Sequence, residues 1–185
     1  EKVYQRIHRL GPKRDFRFRL AAPERGARCR MRQGTIGALL GLTDWRKDAF
    51  FAGLHAHYLQ NKFPDVEIGV SVPRLRPHAG EFKPLSLVGD SSLVQTILAL
   101  RLLMPRLGIS LSTREDSQFR DNLVPLGITR LSAGSSTGVG ERIATGDQSG
   151  AFRQFEIADH RSIGEIVTQL ANKGYDPVLN DWCPI

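Results

Sequence analysis

Apolar residues fall along this chain in alternating short and long blocks, and the period changes from block to block. Residues 33–42 (QGTIGALLGL) form a short, glycine-rich apolar run that reads as a buried strand. Thr43 or Asp44 then caps a helix reaching about Asn61, with Phe50, Phe51, Leu54 and Tyr58 at helical spacing and Pro64 as its stop. Residues 66–72 (VEIGVSV) read as the next strand, closed by Pro73. A proline-rich loop holding Pro77, His78, Gly80, Glu81 and Pro84 leads into an apolar helix over 91–103 that stops at Pro105. A strand is expected at 109–112, a helix at 117–126, another strand at 128–132, and a Gly/Ser-rich loop over 133–150. A helix over 162–173 ends at Gly174, and 176–179 is expected to form a last strand. Ahead of all this, residues 15–31 read as one helix, weakened at Pro23 and Gly26.

The order is a helix followed by four strand–helix units. Parallel strands need such crossover connectors, so the fold class is α/β with parallel strands. Four βα units suit a doubly wound sheet or part of a (β/α)8 barrel. A complete barrel takes about 250 residues, more than the 185 present. No GxGxxG or GxxxxGK[ST] pattern favours the open sheet. Residues 1–185 are expected to be one domain or most of one, and the start at Glu1 without Met reads as a fragment or a processed chain.

Composition narrows the function classes. No apolar run approaches the roughly 20 residues of a membrane helix, so no membrane is expected. Cys29 and Cys183 are isolated, which excludes a CxxC zinc site or a disulfide framework, and a cytoplasmic setting is expected. The net charge is +7, and nine arginines lie between Arg6 and Arg32. That stretch lacks an aromatic platform for bases, so nucleic acid is not the expected partner; a solvated basic face is.

The strand ends carry the candidate chemistry, because parallel α/β folds gather function there. They read Gly41-Leu42-Thr43-Asp44-Trp45-Arg46, Pro73-Arg74-Leu75-Arg76-Pro77, Ser112-Thr113-Arg114-Glu115 and Ser132-Ala133-Gly134-Ser135-Ser136-Thr137. Together they would line a pocket with guanidinium and hydroxyl groups, and Arg suits two-pronged binding of a carboxylate or phosphate. Each has a plainer role as well. Arg74 and Arg76 can close ion pairs with Glu81 or Glu115, Asp44 can be only a helix cap, and Gly37 and Gly41 can serve close packing. His55 and His57 stand two apart on a helix, on different faces, and are not expected to share a metal. No GxSxG elbow supports a Ser–His–Asp hydrolase.

The segments GALLGLTDWRKDAFFAGLHAHYLQ, SVPRLRPHAGEF, LSTREDSQFRDNLVPLGIT and LSAGSST resemble the second half of the ThiH family, the radical SAM tyrosine lyases (2-iminoacetate synthases) of thiamine biosynthesis. The opening VYQRIHRLGPKRDFRFRLAAPERGARC is similar to the segment that precedes those motifs in the family. The resemblance implies the second half of a (β/α)8 TIM-type radical SAM barrel, with S-adenosylmethionine and a [4Fe–4S] cluster in the complete enzyme. It implies L-tyrosine as substrate, cleaved at Cα–Cβ to 2-iminoacetate (dehydroglycine) and p-cresol, and thiazole synthase as the recipient of the imine.

Residue by residue, Gly37, Leu39 and Gly41 match a GxIxGxxE-type strand that packs on the adenine in radical SAM barrels, with Asp44 at the acidic position. Ser71, Arg74 and Arg76 match positions where related lyases hold the substrate. One of the two arginines is expected to pair with the tyrosine carboxylate, with Ser71 and Arg114 in support. No catalytic residue is assigned, and no metal ligand.

The CxxxCxxC cluster motif is absent, so the cluster ligands are not in this chain, and an N-terminal half of the barrel is expected to supply them. Residues 180–185 match the family ending only in part. Two alternatives stand beside this reading. One is the HydG-type tyrosine lyase of hydrogenase maturation, which tends to carry an acidic residue where Arg76 stands and a C-terminal cysteine cluster. The other is a non-catalytic module that binds anions or RNA through its arginines.

Overall fold

The computed structural model describes residues 1–76, 84–136 and 156–179. Four strands form one sheet in the order β1-β2-β3-β4: β1 (Gln33–Gly37), β2 (Glu67–Ser71), β3 (Gly108–Leu111) and β4 (Arg130–Leu131). Every pairing is parallel. Helices α4 (Trp45–Lys62), α5 (Asp90–Leu103), α6 (Ser117–Leu123) and α7 (Ile163–Asn172) follow the strands in turn. The expected strand–helix order therefore holds, as the crossover geometry of parallel pairs demands.

Local chemistry sets the helix ends. Asp44 caps α4 by accepting from the Arg46 amide. Ser162 and Glu165 form a reciprocal capping box at the start of α7. Gly174, at φ +81, closes that helix, and the amides of Gly174 and Tyr175 return to the carbonyls of Ala171 and Leu170.

Strand alternation gives the sheet two unlike faces. Ile68, Val70, Val72, Ile109 and Leu111 pack with Leu59 of α4 and Leu93, Ile97 and Leu100 of α5 in one core. Each such fully buried aliphatic side chain stabilises the fold by about 1.5–3 kcal/mol. Register and period place Thr35, Gly37, Gly69, Ser71, Gly108, Ser110 and Arg130 on the opposite face. Small residues predominate there.

Several boundaries differ from the sequence expectation. Residues 15–31 form two helices, α2 (Phe16–Leu20) and α3 (Ala22–Arg28), because Pro23 sits in the first turn of α3 and starts a new helix. Ahead of them lie α1 (Lys2–Ile7) and a single turn at Pro12–Arg14. Strand β1 ends at Gly37, five residues before the expected limit; Leu40 makes only an isolated bridge with Arg74, and Gly41 turns the chain at φ +107. Residues 176–179 form no strand. Pro177 there lacks the amide that a ladder position needs. The expected loop at 133–150 lies outside the described residues from 137 onward, as do Glu81, Thr137 and Cys183.

Candidate functional site

The C-terminal ends of β2 and β3 bring together Arg74, Arg76, Arg114 and Glu115. Arg74 follows β2 and is buried. Its Nε donates to both oxygens of Glu115 at 2.9 and 3.0 Å, and its Nη2 also pairs with Glu115. Nη1 donates to the Val88 carbonyl at 2.9 Å, and Nη2 lies 2.6 Å from Asp90 at the start of α5. Burial pulls the Arg74 pKa down, but the hydrogen bonds and charges of Glu115 and Asp90 outweigh it and the net shift is upward. All three guanidinium nitrogens of Arg74 are engaged.

Arg76 is placed differently. Its Nη2 donates to Glu115 Oε2 at 2.7 Å, and its side chain is 30% exposed against 6% for Arg74. Its Nε is buried and meets no hydrogen-bond partner among the described residues. Arg114 is half-buried, and its amide donates to Ser112 Oγ at 3.2 Å. Burial holds its guanidinium below the usual arginine range against the opposing charge of Glu115. Of the two partners expected for Arg74 and Arg76, Glu115 is the one seen, and it serves both. Arg76, partly exposed beside a saturated Arg74, has guanidinium N–H left to offer an anion.

Ser71 ends β2 on the small-residue face, level with Gly37 and Ser110. Gly37 is there for close approach, since a Cβ on it would come 2.3 Å from the Ser71 carbonyl oxygen. Leu39 follows β1 and is half-buried. Gly41 turns away: a Cβ there would meet the Ser86 carbonyl at 3.2 Å, and its own carbonyl accepts from the Leu85 amide at 3.0 Å. Gly37 closes β1 and Leu39 lies just beyond it, while Gly41 packs under residues 84–86. Asp44 does serve as a helix cap. His55 is half-buried, with burial lowering its pKa, and His57 is exposed. No group of three His, Cys, Asp or Glu residues able to hold a metal occurs among the described residues.

Two charged constellations escaped the sequence reading. Arg130 of β4 pairs with Glu67 at the start of β2, crossing the small-residue face. Glycines make room for it, since a Cβ on Gly69 or Gly108 would lie 3.1 or 3.2 Å from Arg130 Nη1. Alternation in β4 could have placed Arg130 on that face. The second constellation joins Arg120 of α6 to Asp159, whose carboxylate is also held by Arg161. Arg120 donates as well to the Ser132 carbonyl, just after β4. No period or motif marks that set.

Known proteins bear on the arrangement. The chain is 40% identical over 98% of its length to 2-iminoacetate synthase of Escherichia coli and 39% identical over 98% to that of Salmonella typhimurium. It spans about half, 48%, of the length of either relative. Among solved structures it is similar to the FeFe-hydrogenase maturase HydG from Carboxydothermus hydrogenoformans, with TM-score 0.78 and 39% identity. That match covers 94% of this chain and 39% of the other. A second structure of HydG, described as a maturase of the [FeFe]-hydrogenase, gives TM-score 0.82 at 33% identity, covering 98% and 39%. The four parallel strands and their helices match the C-terminal part of the radical SAM barrel in HydG. Residues 71–176, which hold the arginine cluster, match the Biotin and Thiamin Synthesis associated domain, and the chain belongs to that family.

Proposed function

We propose that this chain is the C-terminal, substrate-side part of a radical SAM lyase, one barrel domain in which an N-terminal half completes the site. The enzyme cleaves the Cα–Cβ bond of L-tyrosine to 2-iminoacetate and p-cresol in the cytoplasm, and the imine passes to thiazole synthase for thiamine. The observation that carries this reading is the likeness to 2-iminoacetate synthases along 98% of the chain. The arginine cluster supplies the chemistry such a substrate needs.

Arg76 binds the tyrosine carboxylate, because its side chain stays partly exposed while Arg74 is spent on Glu115, Asp90 and Val88. Ser71 and Arg114 support it from the neighbouring strand ends. Gly37 at the end of β1 and Leu39 just after it face S-adenosylmethionine, and Gly41 shapes the turn behind them. S-adenosylmethionine, when bound, supplies the hydrogen-abstracting radical. The described residues do not fit an iron–sulfur cluster: Cys29 is exposed and alone, and no ligand group surrounds it.

A chimera tests the reading. The matched part of the Escherichia coli relative is replaced by this chain, and the reconstituted protein is incubated anaerobically with L-tyrosine, S-adenosylmethionine and a reductant. p-Cresol is the expected product. A chimera that prefers tyrosine no more than tyramine and releases no p-cresol would overturn it. The likeness to HydG favours hydrogenase maturation as the second reading. Glyoxylate, the hydrolysis product of free 2-iminoacetate, released in step with p-cresol decides for the thiamine-type enzyme.

A further inference from the structure

Glu115 is 2% exposed and sits at the end of β3, yet its Oε2 accepts from guanidiniums on two residues of the β2 end. A buried ion pair is weak support for stability by itself, because desolvation offsets the attraction. One arginine, Arg74, already gives Glu115 a two-pronged partner. A second guanidinium on the same oxygen adds repulsion between the two cations. Arg76 is partly exposed, and its buried Nε meets no partner among the described residues.

We propose that Glu115 is a positioning residue, whose single buried carboxylate locks Arg74 as an anchor and aims the Arg76 guanidinium at the carboxylate of an α-amino acid. Tethering one Nη in the free protein removes much of the rotamer entropy that a long side chain loses on binding. The remaining guanidinium edge is then preorganised for its ligand. This rests on the reading that the ligand is L-tyrosine.

The test measures Kd for L-tyrosine and for tyramine, which lacks the carboxylate, by calorimetry on the chimera in which this chain replaces the matched part of the Escherichia coli relative. Their ratio does not depend on the fraction of protein that is folded. The chimera carrying the unaltered chain is expected to prefer tyrosine, and Glu115→Gln to cut that preference about tenfold, equivalent to ~1.4 kcal/mol. Asp90→Asn breaks a pair with Arg74 only and should keep the preference. In an Arg76→Ala background, Glu115→Gln should change the ratio no further. A preference retained in Glu115→Gln, or a further change in the Arg76→Ala background, overturns the positioning role. If Glu115→Gln does not fold, Glu115→Asp keeps the charge but withdraws it, and an unchanged preference there overturns the role too. A chimera carrying the unaltered chain that shows no preference instead sinks the tyrosine reading, and the role of Glu115 with it.

Discussion

Arg120 and Asp159 form a buried ion pair, 39 residues apart in sequence, that fastens the segment before α7 to the end of α6. The same guanidinium holds the Ser132 carbonyl, so one side chain ties α6, the exit of β4 and the approach to α7. Its partner Asp159 is also gripped by Arg161, which reaches on to Asp121 at 3.1 Å. The residues just after β4 and just before α7 are thereby tied to one side chain.

Acid should loosen this anchor within a defined window. Burial pushes the Asp159 carboxyl up, but hydrogen bonds from the Arg161 side chain and amide, and the charge of Arg120, hold it down at about 2. A depressed carboxyl stabilises the fold fully above its unfolded value near 4, and that contribution is lost as pH falls through about 2. It amounts to about 2 kcal/mol. Urea midpoints measured from pH 5 to pH 2 should fall in wild type. They should fall less steeply in Asp159→Asn, which is weaker at neutral pH by about 3 kcal/mol because Arg120 stays buried without its charge partner. A slope unchanged by the substitution would show that Asp159 does not carry the effect.

Two glycines on the small-residue face should respond very differently to alanine. At Gly37 the new Cβ would meet the Ser71 carbonyl oxygen at 2.3 Å, and backbone in a sheet cannot step aside cheaply. At Gly69 its neighbours are Arg130 Nη1 and Thr35 Oγ1, both at 3.1 Å and both ends of side chains that can shift. Gly37→Ala is expected to cost about 1–3 kcal/mol. Gly69→Ala should cost well under ~1 kcal/mol, because it also restrains the unfolded chain. Chemical denaturation of the two variants ranks them, and the reverse order would refute the face assignment.

The strands were legible where alternation and punctuation agree. Residues 66–72 alternate and end at Pro73, and β2 lies within them. The long run at 15–31 misled because Pro23 is as welcome in a first helical turn as it is harmful further in. Arg74 and Arg76 were legible as a pair at a strand end. Their inequality was not, since it arises from Val88, Asp90 and Glu115 closing around one of them from two other segments. Asp159 gave no signal at all: its partners sit at separations of 39 and 2 in stretches without a period.

Open sheet edges make another prediction. Among the described residues β1 and β4 each pair on one side only, and Thr35 and Gly37 of the small-residue face are exposed. Unpaired parallel edges template association with a further strand. In light scattering coupled to gel filtration, the chain is expected to run larger than its 20.6 kDa mass or to precipitate as concentration rises. A monodisperse monomer with a single cooperative melt would refute this.

The two arginines that follow β2 should separate stability from binding. Removing the Arg74 side chain leaves Glu115, at 2% exposure, with only the shared contact from Arg76, and strips Asp90 and Val88 of their partner. Breaking a buried pair from one side costs about 3–5 kcal/mol, so Arg74→Ala should lower the melting temperature sharply and abolish ligand binding along with the fold. Arg76 is 30% exposed and, among the described residues, pairs with Glu115, which Arg74 continues to hold. Its loss should cost about 1 kcal/mol or less in stability. Tyrosine affinity should nevertheless fall at least about tenfold in Arg76→Ala, while tyramine affinity stays put. Melting curves paired with calorimetry on both variants decide the matter. Equal destabilisation by the two substitutions, or a well-folded Arg74→Ala that alone loses tyrosine, would reverse the roles assigned to them.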